Sequence, residues 1–272
     1  MKKFLVIVLI CILPGIIQDC KKDKGEPPIL PPAESMSIDF SNFQMAKKSD
    51  VAIAVPKGSQ TSNWEFAAGV ALIWDAIIST TLAVPVAAFK LVVNQTPTYV
   101  DNKTWQWTKD VTVLGTTYTA KLTGQITSAD VLWKMYITKS GTGGYSDFLW
   151  FTGTSGLDGK SGQWILNKSN ADPVSILQID WTKEGSSVGS VKYTYIETGS
   201  SFKDSYIEYG LTSNTLNAYY TIHYYSTVYL QFYDLNVEWS TTQKNGHVKC
   251  LQFFGNSDWY CWDSNYLNIT CP

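Results

Sequence analysis

The chain has 272 residues, of which 44% are hydrophobic, 14% aromatic and only 16% charged, with a formal net charge of −2. No run of Lys or Arg interleaves with aromatics, so the electrostatic footprint of a nucleic-acid binder is missing and no nucleic-acid partner is expected. Apolar content is ample for a large core and charged content is below the usual quarter, a profile that suits a sheet-rich protein outside the cytoplasm.

The N-terminus reads as an address. In "MKKFLVIVLICILPGIIQDC", Lys2 and Lys3 precede an apolar run from Phe4 to Ile17, the charge pattern and h-region of a signal peptide. Cys20 follows, and after it comes "KKDKGEPPILPP", charged and then proline-rich. These residues resemble a bacterial lipoprotein precursor, although "IIQDC" departs from the strict lipobox at Gln18 and Asp19. The resemblance implies that residues 1–19 are removed as a signal peptide. It also implies that Cys20 is lipidated on its thiol and anchors the protein to the cell envelope, with the outer membrane as the expected location. Residues 20–60 then form a Pro-rich tether, because consecutive prolines favour a semi-rigid polyproline II spacer. Within it, Ile38, Phe40 and Phe43 are apolar enough to pack onto the domain that follows.

Residues 61–272 are expected to form that single domain. Ser62-Asn63-Trp64-Glu65 fits a capping box, in which the Ser62 hydroxyl accepts from the Glu65 N–H and the Glu65 carboxylate reaches back to the Ser62 N–H. The helix it opens reads to about Val93, with a kink or split at Pro85. Its stretch "FAAGVALIWDAIISTTLAVPVAAF" is apolar on every face, so it must be buried somewhere. A membrane span is the rival reading by length. Three features favour burial in protein. Asp75 sits in mid-segment, Ser79, Thr80 and Thr81 follow it, and a span from an outside anchor would place Cys250, Cys261 and Cys271 in a reducing compartment.

From residue 98 the apolar period changes to two. Trp105 and Trp107 share a face; so do Val131, Trp133, Met135 and Ile137; Leu177, Ile179 and Trp181; Val191, Tyr193 and Tyr195; and Tyr233, Leu235, Val237 and Trp239. One face buried and one wet is the mark of antiparallel sheet. Turn signals such as "SGTGG", "GLDGKSG", "TGSS" and "GNSD" punctuate the runs. The expected fold class is mainly β, an up-and-down meander of about 11 strands with short links. Such a sheet must curl, close or split. The predicted arrangement is a barrel or half-barrel curled around the one apolar N-terminal helix. At that level it is similar to the half-barrel lipoprotein carriers of the outer-membrane sorting pathway, which hold acyl chains in a hydrophobic cavity. An outer-membrane barrel is the alternative, though a polar lumen fits poorly with an apolar helix.

Cys250 and Cys261 flank a stretch nearly symmetric about Gly255-Asn256, so a hairpin there would pair them in a disulfide; Cys261 with Cys271 has nearly the same spacing and remains open. A zinc cluster with His247 lacks CxxC spacing, and no metal or cofactor is expected. His223 and His247 are the only histidines, and neither lies in a nucleophile context. "GKS" at 159–161 lacks the glycine and the helix of a phosphate loop. The scattered carboxylates offer no pair assignable to one cleft. The chain is therefore read as a non-enzymatic, lipid-anchored binding protein that holds a lipid or other apolar small molecule between helix and sheet. Asp75, a carboxylate in an apolar helix, must be paired, protonated or beside a cavity, so Trp74, Asp75 and Ile78 are the candidate cavity-lining residues. A cell-surface glycan-binding lipoprotein using "WQW" at 105–107 and "DWYCW" at 258–262 is the alternative.

Overall fold

The structure, a computed structural model, describes residues 24–48, 62–185 and 187–272. The signal segment, residues 20–23 (with Cys20) and 49–60 of the expected tether, and residue 61 lie outside the described residues.

The fold is mainly β. Fourteen antiparallel strands form one sheet in strict chain order. They are β1 (Thr98–Tyr99), β2 (Thr104–Val113), β3 (Thr116–Ile126), β4 (Asp130–Lys139), β5 (Tyr145–Gly156), β6 (Ser161–Asn167) and β7 (Ser175–Glu184), followed by β8 (Ser187–Tyr195), β9 (Tyr206–Leu211), β10 (Ala218–Ser226), β11 (Gln231–Trp239), β12 (Gly246–Lys249), β13 (Tyr260–Trp262) and β14 (Asn268–Ile269). The edge strands β1 and β14 do not pair with each other, so the sheet is open and no barrel closes. The count exceeds the expected eleven because short strands of two to four residues at the two ends of the meander carry too little alternation to be legible. Where alternation is long it fixes the buried face: Val131, Trp133, Met135 and Ile137 of β4 are each at most 1% exposed, while their intervening neighbours are exposed or half-buried.

Helix α1 (Asn63–Thr81) opens with the full capping box between Ser62 and Glu65, with both reciprocal bonds formed at 3.1 and 2.9 Å. Helix α2 (Ala83–Val92) follows after Leu82, and the two axes differ by 70°. The break falls three residues before Pro85 and not at it. A proline ring clashes with the carbonyl of residue i−4, here Thr81, and Thr81 is where α1 ends. Pro85 then occupies the first turn of α2, where a missing N–H costs nothing. No single described helix is long and apolar enough to cross a membrane.

The helices join the two halves of the meander. Asn63 at the start of α1 donates from its backbone N–H to Asn268 Oδ1 (2.7 Å) and from its side chain to the Cys261 carbonyl (2.9 Å). Phe66 stacks on Phe253 at 3.9 Å, a residue of the one-turn helix α3 (Leu251–Phe254). At the other half, Phe89 of α2 meets Phe151 and Trp164 edge-on. Two 3-10 segments, Ala33–Met36 and Ser41–Lys48, bring the start of the expected tether into the same core. Met36, Phe40 and Phe43 are 0, 5 and 1% exposed, Ser35 Oγ accepts from Trp164 Nε1–H, and Phe43 packs edge-on against Trp239 at 5.0 Å. Phe40 and Phe43 thus pack onto the domain as expected, with Ile38 partly buried against the same core.

The inner face accommodates many indoles because glycines lie under them. Gly153 sits beneath Trp164 so closely that a Cβ there would come within 2.1 Å of the ring. Gly124 under Trp133 and Gly162 under Trp181 repeat the arrangement.

Cys261 is disulfide-bonded to Cys271, with Cα atoms 5.2 Å apart, and Cys250 is a buried free thiol. The expected Cys250–Cys261 bond does not form. Residues 251–254 take a helical turn closed by Phe254 N–H to the Cys250 carbonyl, and this moves the register so that Cys261 faces His247. Burial pushes the Cys250 thiol up to about 11.

Candidate functional site: an apolar cavity at the rim of the sheet

Hairpin links alternate between the two ends of a meander. One end carries the β3–β4, β5–β6, β9–β10 and β11–β12 links, and the 3-10 segments fill it: Ile29 lies over Gly159 of the β5–β6 turn, and Phe40 and Phe43 pack on Tyr220 near the start of β10. This end is the floor. The opposite end, the rim, carries the β8–β9 and β10–β11 links. Helix α1 starts at the floor beside β13 and β14 and runs toward the rim.

Where α1 reaches the rim it leaves a cavity of about 220 Å³. Ile73, Trp74 and Ile77 supply its helical wall. Facing them are Tyr224, Tyr225 and Ser226 at the end of β10, with Tyr195, Phe202 and Ser205 from the β8–β9 side. Val228, 58% exposed, sits at the opening. None of the lining residues carries a formal charge at neutral pH.

Of the three cavity candidates named from sequence, the structure brings only Trp74 to the wall. Helical phase explains the other two. With 3.6 residues per turn, Ile73, Ile77 and Trp74 span one arc, whereas Ile78 projects about 90° and Asp75 about 150° from its centre. Asp75 instead lies close enough to Tyr220 to help raise that phenol's pKa, after burial, Asp39 and Tyr209.

The polar atoms of the wall are unevenly satisfied. Tyr195 donates to Glu197 Oε2 at 2.5 Å, and Glu197 also receives Lys168 at 3.0 Å. Ser205 Oγ accepts from the Tyr225 N–H (3.1 Å) and Ser226 Oγ from the Tyr229 N–H (3.3 Å). Trp74 is 2% exposed, and its indole nitrogen, buried from solvent and cavity alike, has no hydrogen-bond partner among the described residues. Several core indoles share that lack, but Trp74 alone among them lines the cavity.

Sequence reasoning missed the β10 side of the wall. One signal was available: the link after β10 reads "TVYL", with Val228 and Leu230 58 and 73% exposed, where turns are ordinarily polar.

The other candidates do not assemble into a site. His223 Nδ1 lies 2.7 Å from Asp234 Oδ1, and His247 Nε2 3.1 Å from Glu238 Oε2. His223 is stacked on Phe232 and His247 on Trp259. Among the described residues no group of three His, Cys, Asp or Glu side chains could share a metal ion. Of the aromatics considered for glycan, Trp107 and Trp262 are 1% exposed and belong to the core. Trp259 is covered by His247 and Lys249.

Set against protein-family models, curated proteins and solved structures, the chain matches none of them.

Proposed function

We propose that this protein is a lipid-anchored binding protein of the bacterial cell envelope that holds an apolar small molecule in the rim cavity between α1 and β8–β10. The observation that carries the reading is the cavity itself: hydrophobic and aromatic walls, no charge, and a few convergent polar groups, the usual constitution of a small-molecule pocket. In this reading the open sheet curls round α1 as a half-barrel. Support comes from the two helices, which grip opposite halves of the meander through Asn63 and Phe89.

Lys24, the first described residue, and the cavity mouth lie at opposite ends of the sheet. Lys24 sits over the ring of Tyr99, at the floor. Three residues separate it from Cys20, so the four Cα–Cα steps reach at most about 14 Å, whereas a ten-residue strand spans about 33 Å. A lipid on Cys20 thus holds the floor to the membrane and turns the mouth away from it. Loading would take place from the aqueous side or from a partner, not from the anchoring bilayer.

Native mass spectrometry of protein purified from its own envelope tests the reading. The expected result is a co-purifying apolar adduct on wild type that is absent from Ile77→Trp, which fills the cavity from α1. Equal adduct on both proteins, or none on wild type after gentle extraction, refutes it. For the anchor, incorporation of labelled palmitate into wild type but not Cys20→Ala is expected, and an unlabelled wild type overturns it.

A further inference from the structure

The two walls of the rim cavity differ in kind. On the α1 side the open surface is aliphatic: Ile73 and Ile77 are half-buried, while Trp74, 2% exposed, adds little to it. The opposite wall is aromatic. Tyr195 and Phe202 come from the β8–β9 side, and Tyr224 and Tyr225 from the end of β10. Tyr195 and Phe202 meet edge-on at 6.2 Å, Tyr225 meets Phe232 edge-on at 5.3 Å, and Tyr224 lies tilted against Tyr233 at 5.4 Å. Among the described residues no ring pair joins this wall to α1. The floor is built otherwise, for there Phe40, Phe43, Tyr209 and Trp239 all close on Tyr220. Phe202 is left 37% exposed beside the mouth.

Burial by area alone rewards a chain and a ring alike. A ring in addition makes offset or edge-on contacts with other rings, which stabilise beyond their area. A charged group would lose its hydration, since no Lys, Arg or His lines the cavity. Size narrows the class further. A cavity of about 150 Å³ takes one benzene, so 220 Å³ takes a bicyclic ring, with any substituent at the mouth by Val228. From this, and resting on the proposed cavity function, we infer that the ligand is an uncharged planar aromatic compound of one or two fused rings. One of its faces lies on Ile73 and Ile77, and the other meets Tyr195, Phe202, Tyr224 and Tyr225.

The test compares 2-naphthol, decahydro-2-naphthol and 1-decanol, which share carbon number and hydroxyl and are neutral at pH 7. The protein is the full chain bearing Cys20→Ala, which removes the anchor residue and leaves the domain, purified without detergent. Binding is read by calorimetry and by the isoleucine methyl resonances of ¹³C-methyl-labelled protein, with Ile73 and Ile77 assigned by Ile73→Val and Ile77→Val. The 2-naphthol is expected to bind about tenfold more tightly than its saturated counterpart, the worth of two aromatic contacts, and more tightly than the chain, which has the larger apolar area. It should also shift the Ile73 and Ile77 methyls upfield, as a ring face on them requires. Phe202→Leu, at an exposed position, should weaken 2-naphthol about threefold and leave decahydro-2-naphthol unchanged. Should that variant not fold, the methyl shifts of the unsubstituted wall decide alone. Equal binding of 2-naphthol and decahydro-2-naphthol, or tightest binding of 1-decanol, overturns the inference and leaves the cavity function standing. So does a preference for 2-naphthol that leaves both methyls unmoved. Binding of none of the three overturns the inference and the cavity function together.

Discussion

Replacing Gly153 with alanine asks whether the packing of indole on glycine holds the inner face together. The new Cβ would stand 2.1 Å from Trp164 Cε3, 2.5 Å from Cζ3 and 2.6 Å from the Gln163 carbonyl oxygen. One of these clashes is with backbone, which the β5–β6 ladder holds in register. The ring cannot retreat. Trp164 is 0% exposed, Phe89 and Phe151 stand edge-on to it, each 5.2 Å away, and its N–H is held by Ser35 at 3.2 Å. Overpacking in such a site costs about 1–3 kcal/mol, and with no free direction the upper end applies. Loss of the Ser35 bond adds about 1 kcal/mol. The lower unfolded-state entropy of alanine returns up to about 1 kcal/mol. The net is a destabilisation of about 2–3 kcal/mol, or a fall in Tm of roughly 4–12 °C for a domain of this size. Urea unfolding of Gly153→Ala, Trp164→Leu and the double variant measures it. In the Trp164→Leu background the alanine should cost less than half as much, since the atoms it strikes are gone. An Ala variant within about 0.5 kcal/mol of wild type, a margin ordinary for a surface change, would falsify the argument, as would an undiminished cost in the double variant.

Ser62→Ala removes one half of the capping box on α1 and should lower stability by about 1 kcal/mol in the same urea assay, with Ser62→Asp close to wild type. Replacing Cys271 with serine opens the Cys261–Cys271 loop; for a span of that length the loss should be about 2–3 kcal/mol. In the native protein Cys250 should not react with Ellman's reagent at pH 8, because burial pushes its thiol to about 11 and the thiolate is the nucleophile; rapid labelling without unfolding would contradict its burial. Alkaline unfolding is expected between about pH 10 and 12. Burial raises the phenols of Tyr209 and Tyr219 to about 12 and those of Tyr193 and Tyr220 further. A raised folded pKa means stability present below pH 10 and lost as pH rises through the folded value, so tyrosinate absorbance and circular dichroism should change together. Finally, on vesicles carrying the anchored protein, a fluorophore on Val228→Cys should escape quenching by spin-labelled lipid, while one on Leu157→Cys, at the floor, should be quenched. The reverse order would invert the proposed orientation.

The parts of the fold legible in the sequence were those set by local or periodic chemistry. The capping box is a four-residue device, so Ser62 and Glu65 announce it unaided. The face shared by Val131, Trp133, Met135 and Ile137 is legible because the pleat repeats every two residues. Features decided by register were not legible. The Cys250–Cys261 expectation assumed a symmetric hairpin, and a single helical turn at 251–254 displaced it by three residues. Pro85 was read as the kink, while its effect falls four residues upstream, at the carbonyl it would strike. The cavity was half legible. Trp74 lies on a helix whose burial the composition demands, but its partners Tyr224, Tyr225 and Ser226 are about 150 residues away in sequence. Only pairing of β9, β10 and β11 in one register brings them opposite it.

That division explains why the cavity lies at the rim and not along the whole helix. At the floor the chain supplies its own filling. Phe40 and Phe43 reach Tyr220 and Trp239, and Trp64 closes on Tyr266, so the first turns of α1 meet side chains on every side. Nothing equivalent from residues 33–43 extends to the rim. There α1 presents Ile73, Trp74 and Ile77 to a strand end where the inward position after Tyr224 is Ser226 and the neighbouring link contributes Ser205. Ser226 thus continues the inward series of Ala218, Tyr220 and Ile222 in β10, and Ser205 comes from the link beside it. Small polar residues at inward positions leave volume unfilled and add donors to its wall. That unfilled volume at the end of α1 is the space on which the proposed binding function rests.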